Sequence, residues 1–387
     1  MFIYGENKNL KFTISRDELT NAVNWVSRSL PTRLPTLSLG GVKLTTKEKT
    51  LVFSSFDYEV SSTIEVDAKI ETQGEVLVPG RLLSEITKAL PNQPVNASYD
   101  GSKLTLSCGK TQYSLPTLNI SDYPELPNTP PAIGSVSASD FSYSVAQTSI
   151  AAGREENVAM LTGIKIEISK DKITLAATDR FRLAIKELVW VPSSPELEFS
   201  ALVPARTLLE STRPLVNKKS ISLHLANQTE GEKLFGLDSD KAVTTTRLLD
   251  SEFPKFRSLL PTESTTQLFI DVAELVEAVK RVTLVTDRKS PLVRLALSDS
   301  EVVVTAAAVG DEATAREVIT GSLQGEGFEI AFNPSYLLDG LNNLATERAR
   351  FAFNGPTKPV VIVGVAKTNE EPDLSYQYLL MPIRLPG

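Results

Sequence analysis

A chain of 387 residues, 41% hydrophobic and 22% charged, has the make-up of an ordinary globular protein, and its length points to two to four domains. Its 47 acidic and 40 basic residues leave a net charge of −7, which argues against adhesion to nucleic acid by overall charge. One cysteine excludes an internal disulfide, one histidine excludes a histidine-based metal cluster, and no apolar run approaches a membrane span. Met1-Phe2-Ile3-Tyr4 runs straight into charge, so no signal peptide is expected. The lone thiol, Cys108, suits a reducing, cytoplasmic compartment.

The first unit covers residues 1–127. Asp17-Glu18-Leu19 opens a helix reaching Ser29. Leu19, Val23, Val26 and Leu30 share one face, Asp17 and Glu18 sit where the helix dipole favours negative charge, and Arg28 falls almost opposite the apolar stripe. Gly41-Val42-Lys43-Leu44 and Leu51–Ser55 form a strand pair. Glu75–Val78 is a strand that runs into Val78-Pro79-Gly80-Arg81-Leu82-Leu83. Proline at a first helical position loses nothing, because that N–H has no intrahelical partner. Leu82, Leu83, Ile86 and Leu90 form this second helix's stripe, with Arg81 and Lys88 pointing away. Lys103–Ser107 and Gln112–Leu115 alternate as strands. Ser121-Asp122-Tyr123-Pro124 then leads into the stiff connection Pro127-Asn128-Thr129-Pro130-Pro131.

The same order restarts twice. Pro79 recurs as Pro204 and Pro334, at steps of 125 and 130 residues, and the preceding helix markers Leu19, Phe141 and Leu275 lie 60, 63 and 59 residues before them. The second unit, residues 135–256, has a helix from Asp140 to Ala151, strands Gly163–Ile166, Ile173–Ala177 and Ser200–Val203, and a helix burying Leu208, Leu209 and Leu215. Arg213 stands at the position of Lys88. Strands Ser220–Leu225 and Ala242–Leu248 follow, then Ser251-Glu252-Phe253-Pro254. The third unit, residues 265–387, has a helix with Leu275, Val279 and Val282 inside and Lys280 and Arg281 on the far side. Strands Val293–Leu295, Val302–Ala306 and Glu329–Phe332 lead to Phe332-Asn333-Pro334-Ser335-Tyr336, where Asn343 takes the Lys88 position. Ala349–Phe353, Val360–Val365 and Tyr376–Leu380 close the unit before Met381-Pro382-Ile383-Arg384-Leu385-Pro386-Gly387.

Catalytic machinery is scarce. His224 lies inside an alternating strand, where packing is its expected role. Cys108 has only Lys110 as a nearby cation, so an inert thiol is expected. No Gly-rich phosphate loop is present. Asp57 and Asp179 occupy equivalent positions, with Ala308 in the third unit. Equivalent turn residues are the expected reading; an acid–base pair, and hence a hydrolase, is the alternative. No metal, cofactor or catalytic residue is assigned. Arg28, Arg81, Lys88, Arg213, Lys280 and Arg281 lie on comparable helices of an acidic protein. Placed side by side they give a basic side suited to phosphate contacts that read no base sequence. A scaffold that never meets DNA is the other reading open on these residues.

The three units, the Val-Pro-x-Arg openings at Val78 and Val203, Thr178-Asp179 with Arg182-Leu183, Phe253-Pro254, Phe332-Asn333 with Ser335-Tyr336, and Met381-Pro382-Ile383-Arg384-Leu385 together resemble the bacterial DNA polymerase III beta subunits, the sliding clamps. The resemblance covers essentially the whole chain. It implies an α+β fold of three clamp domains, each with two helices packed on two antiparallel sheets, and a head-to-tail dimer ring with helices lining the hole. It implies a non-catalytic processivity factor that encircles duplex DNA and tethers the replicative polymerase. Implied partners are double-stranded DNA, a second copy, the polymerase catalytic subunit, the clamp loader, and other polymerases and repair proteins carrying clamp-binding peptides, with no membrane partner.

The resemblance also implies a partner-peptide groove at Leu161, Thr178, Arg182, Leu183, Pro254, Leu259, Asn333, Tyr336, Met381, Pro382, Ile383, Arg384 and Leu385. Apolar side chains there would take a short motif's Leu or Phe anchors. The free C-terminus is expected to line it. The implied subunit contact sets Tyr113 and Leu115 against Leu284 and Val285. The DNA-facing positions matched by resemblance are Arg33, Lys88 and Arg213; Arg28, Lys280 and Arg281 come from helix geometry alone. This chain departs from the family at Arg180-Phe181, where Gly-His is common, and at Ser258, Ser290, Ala159 and Met160. A groove of altered shape is therefore expected.

Overall fold

The computed structural model describes residues 9–31, 33, 36–155, 157–226, 233–286, 291–308, 313–366 and 371–384. Among them stand six α-helices: α1 (Arg16–Val26), α2 (Gly80–Ala89), α3 (Ala138–Ser149), α4 (Ala205–Thr212), α5 (Val272–Val282) and α6 (Pro334–Asn342). Odd-numbered helices open a repeat, and even-numbered ones begin at or just after its proline.

Capping explains where several begin. Ser15 Oγ accepts the Glu18 N–H at 3.2 Å at the start of α1, and Asp271 Oδ1 accepts the Glu274 N–H at 2.9 Å at the start of α5. Asn333 Oδ1 accepts the N–H groups of Ser335 and Tyr336 at the start of α6.

Two expectations for the second helices are corrected. Only Pro334 is a first helical residue. Pro79 and Pro204 end their strands, paired with Gly41 and Gly163. Both lie on the outermost strand of their sheets, where a missing N–H breaks no ladder. Leu82 is 38% exposed and outside the stripe. Leu83, Ile86 and Leu90 define the buried face, and Leu82 is rotated about 100° from Leu83. Leu209 is only half-buried, while Leu208 and Leu215 are inside.

The chain divides into two compact units that cut through the middle repeat: residues 1–142, 190–195 and 207–248, and residues 143–189, 196–206 and 249–387. Every strand pairing is antiparallel. The first unit has a five-stranded sheet in the order Lys69–Thr72, Leu10–Ile14, Val95–Tyr99, Lys103–Cys108, Thr111–Pro116. Its nine-stranded sheet runs Val191–Pro192, Ala132–Ser137, Ser220–Leu225, Leu234–Ser239, Ala242–Arg247, Val60–Asp67, Thr50–Phe56, Gly41–Thr46, Glu75–Pro79. Here α1 packs on α2 and on Val60–Asp67, burying Leu19, Ala22, Val23 and Val26.

The second unit has one twelve-stranded sheet: Glu198–Pro204, Gly163–Ser169, Lys172–Thr178, Arg182–Val189, Pro372–Leu380, Val360–Val365, Arg348–Phe353, Thr266–Asp271, Thr314–Gln324, Glu301–Ala307, Val293–Leu297, Glu329–Phe332. Helix α5 packs on α6 and on Thr314–Gln324.

Both large sheets cross a repeat boundary. In the first unit Val60–Asp67 joins Ala242–Arg247, from Thr246↔Val60 to Ala242↔Ile64. Hydroxyls line that seam: Ser61 Oγ lies 2.5 Å from Thr245 Oγ1 and Ser62 Oγ 3.2 Å from Thr244 Oγ1. In the second unit Arg182–Val189 joins Pro372–Leu380, from Arg182↔Leu380 to Lys186↔Tyr376. This seam is apolar, with Leu183, Ile185, Val361, Val363, Leu379 and Phe256 in one buried cluster. The strands of the seams were legible in part from alternation; their pairing, more than a hundred residues apart in sequence, was not.

Candidate partner-docking site and basic positions

The site starts from a turn. Asp179 Oδ1 accepts the N–H groups of Phe181 and Arg182, each at 3.0 Å, and Thr178 Oγ1 accepts from Arg180 N–H at 3.2 Å and donates to Arg182 O at 2.7 Å. Closing this turn drives Arg180 to φ +79°, a left-handed conformation that strains a residue with a Cβ. The first repeat builds its counterpart with Asp57, which accepts from Glu59 N–H and Val60 N–H, and with Tyr58 at φ +74°. Each aspartate is thus committed to its own turn, as the turn-residue reading expects. Arg180→Gly is expected to raise stability by about 1 kcal/mol, seen as a higher denaturant midpoint with unchanged slope. An unchanged midpoint would mean that the turn carries no strain.

Beyond the turn, Arg182 is only 6% exposed, and two carboxylates accept from it. Its Nε donates to Asp179 Oδ2 at 2.9 Å and its Nη1 to Asp339 Oδ2 at 2.6 Å. The guanidinium carbon lies 4.3 Å from the centroid of the Tyr336 ring. Burial opposes this charge, but Tyr378, Asp339 and Asp179 outweigh it and hold Arg182 above the ordinary arginine value. Phe181 stacks beside Tyr336 with centroids 6.2 Å apart. Tyr378, fully buried, donates its hydroxyl to Tyr336 O at 2.8 Å.

The segment after Leu380 completes the site. Met381 N–H donates to Phe181 O and Ile383 N–H to Ala331 O, both at 2.8 Å. It is therefore a pinned extended segment. Hydrogen bonds, ring contacts and the seam cluster tie Thr178, Arg182, Leu183, Asn333, Tyr336, Met381 and Ile383 into one construction. Leu161 is buried in a 3-10 turn with Ala159 and Met160. Pro254 and Pro382 are half-buried, and Arg384 is exposed. Leu385 and Ser290 lie outside the described residues, while Ser258 is exposed on the 3-10 turn Phe256–Leu259.

Four apolar side chains of this region face water: Phe181 at 58%, Leu259 at 48%, and Met381 and Ile383 at 38% each. Single exposed apolar residues are ordinary, but four on the turn, the 3-10 turn and the final segment make a surface suited to apolar anchors. Phe181 was legible as a departure from the family. Asp339, Gly340 and Tyr378 were not singled out. The only local signal for Asp339 was its place three residues after Tyr336, near the same helix face.

Other candidates resolve into packing. His224 is buried, with Nδ1 2.8 Å from Pro130 O and Nε2 2.8 Å from Asp238 Oδ2. The buried Cys108 thiol donates to Pro91 O and Gln93 O. Among the described residues no group of three His, Cys, Asp or Glu residues is arranged to hold a metal, and no helix is long and apolar enough to cross a membrane.

Of the basic positions in the first unit, Arg28, Arg33, Lys88 and Arg213 are exposed. Arg28 sits below the ordinary arginine value, because partial burial and the nearby Arg213 outweigh the support of Glu210. Arg28 and Arg213 therefore share one local field. In the second unit Lys280 Nζ meets Glu277 at 2.9 Å, and Arg281 holds Glu317 through two bonds of 2.9 and 2.6 Å. Their charge is already met by carboxylates, which leaves them weaker phosphate ligands than helix geometry suggested. Tyr113 and Val285 are half-buried, Leu115 is fully buried, and Leu284 is 84% exposed.

Repeated domains of mixed helix and antiparallel sheet, joined edge to edge across repeat boundaries, and four apolar side chains exposed together on the second unit define the fold of a clamp-like scaffold. Family models of the DNA polymerase III beta subunit match residues 10–127 as its N-terminal domain, 135–255 as its central domain and 257–384 as its C-terminal domain. The beta sliding clamp of Streptomyces coelicolor is 44% identical over 98% of this chain and 100% of its own length. The Pseudomonas aeruginosa sliding clamp bound to griselimycin superposes with a TM-score of 0.87 at 26% identity, covering 97% of this chain and 100% of that one. The Thermotoga maritima beta subunit gives 0.88 at 25% identity, covering 97% and 100%. The chain belongs to the DNA polymerase III beta subunit family. It is a DNA sliding clamp, a processivity factor rather than an enzyme.

Proposed function

We propose that two copies of this chain, each with domains at 1–127, 135–256 and 265–387, close head to tail into a ring around duplex DNA. The ring holds the replicative polymerase on its template by topology and makes no sequence-specific contact. The observation that carries this reading is the pattern of sheet edges. Val60–Asp67 and Arg182–Val189 each join a strand of the following repeat. The third repeat's counterpart, Thr314–Gln324, pairs along Thr314–Thr320 only with Glu301–Ala307 among the described residues. At the other end of the pattern Thr111–Pro116, the counterpart of Ala242–Arg247, is an edge strand. Edges left open on both ends of a repeat series are satisfied by a second copy, and head-to-tail closure then leaves neither free. Thr111–Pro116 would offer its backbone and Tyr113, because the Leu115 side chain belongs to its own core.

Arg28, Arg33, Lys88 and Arg213 supply positive charge for the DNA backbone. The surface of Phe181, Leu259, Tyr336, Met381 and Ile383 takes short peptides of the polymerase catalytic subunit, the clamp loader and other polymerases and repair proteins. The ring works in the cytoplasm, where the chromosome is replicated. Loading onto nicked circular DNA with the clamp loader and ATP tests this reading. The expected result is retention through a high-salt wash and release when the circle is cut. Loss in the salt wash would reduce the association to ordinary electrostatics and overturn topological linkage.

A further inference from the structure

We infer that Asp339 is a positioning residue of the docking groove: it holds the Arg182 guanidinium against Tyr336 and so presets the aromatic wall on which a partner peptide lands. This rests on the groove reading above and names a residue that reading leaves out. Asp339 lies on α6, one turn beyond Tyr336. Its Oδ2 accepts from Arg182 Nη1 at 2.6 Å, while Asp179 Oδ2 accepts from Nε at 2.9 Å. The two carboxylates hold the guanidinium from two edges and leave its carbon 4.3 Å from the Tyr336 centroid. A planar cation held this way covers one part of the ring and restricts its swing.

Asp339 is itself held in place. Asn343 Nδ2 donates to Asp339 O at 2.8 Å, and Gln147 Nε2 donates to Asn343 O at 2.6 Å. Tyr336 O is fixed by the Tyr378 hydroxyl at 2.8 Å. The helix that carries both Tyr336 and Asp339 is therefore anchored at each end of the pair. The two aspartates are not equivalent. Asp179 also closes the turn through Phe181 N–H and Arg182 N–H, so its loss breaks the backbone. The Asp339 side chain is 46% exposed and its hydrogen bond goes to Arg182, so its loss frees the guanidinium while the turn survives. Arg182 then keeps one carboxylate instead of two, and Tyr336 loses its fixed cover.

The test uses the full-length protein and a fluorescein-labelled synthetic peptide with adjacent Leu and Phe anchors, read by fluorescence anisotropy. Asp339→Asn is expected to weaken the peptide at least tenfold, with dimerisation unchanged. Asp339→Glu is expected to recover most of the affinity, since it restores a carboxylate. In an Arg182→Lys background, where the planar cation is gone, Asp339→Asn is expected to cost little more, a coupling that a general loss of stability does not produce. Met381→Ala separates the two readings. If it weakens binding while Asp339→Asn leaves affinity within twofold, or if the Asp339 and Arg182 effects simply add, the positioning role is overturned and the groove stands. If neither Met381→Ala nor Asp339→Asn changes affinity, the groove assignment itself falls.

Discussion

Leu284→Asp is expected to convert the protein to monomers at micromolar concentration. Leu284 follows α5 on the 3-10 turn Thr283–Val285, and at 84% it is the most exposed large apolar side chain among the described residues. Within one chain it buries almost nothing, so an aspartate there costs the monomer nothing comparable. In the proposed head-to-tail pair the same position would meet the partner's edge strand, and an unpaired carboxylate would be taken out of water. Breaking or burying a charge in this way costs about 3–5 kcal/mol, and a two-chain ring contains the junction twice. Val318, 40% exposed, lies on the stretch Thr314–Thr320 that pairs only with Glu301–Ala307 among the described residues. Sedimentation velocity reads the result. A persistent dimer with an unchanged monomer fold would move the junction away from Leu284.

Gly340→Ala is the second large effect, and it acts inside one chain. A Cβ at Gly340 would stand 2.4 Å from two ring carbons of Tyr378, closer than any real contact. Tyr378 is fully buried and hydrogen-bonded to Tyr336 O, so it has no open space to enter. The new methyl must push α6 off Pro372–Leu380, and overpacking of this kind costs about 3 kcal/mol. The expected outcome is a lower denaturant midpoint together with loss of peptide binding, because Tyr336 and Asp339 ride on the displaced helix. Dimerisation is expected to persist. A parent-like midpoint with parent-like affinity would show that Tyr378 yields easily and that α6 is not pinned there.

The resemblance to the clamp family named Thr178, Arg182, Asn333, Tyr336 and Met381 as groove positions, and the fold ties these five into one bonded arrangement around the seam. Asp179 was identified as a turn residue and closes the turn. What escaped the sequence had a common cause. Asp339 and Arg182 are 157 residues apart, and nothing in either neighbourhood marks them as a pair. Lys280 and Arg281 looked like a bare basic face, because Glu317 lies 36 residues beyond Arg281 and reaches it only through the packing of α5 on Thr314–Gln324. Leu115 looked like an interface residue, yet its side chain is spent on its own sheet.

The threefold repeat, most of its strands and helices, and the family could be read from the order of residues alone. Those follow from local chemistry: alternation reports a half-buried strand, a 3.6-residue stripe reports a helix face, and a proline recurring at similar intervals reports the same strand-to-helix junction three times. Folding in three dimensions sets which strand edges meet, which charges are already neutralised and which carboxylates hold Arg182. Such choices depend on residues brought together from opposite ends of a repeat or from different repeats. The free energy that selects them comes from buried seams and desolvated ion pairs, and these do not exist until the chain has folded.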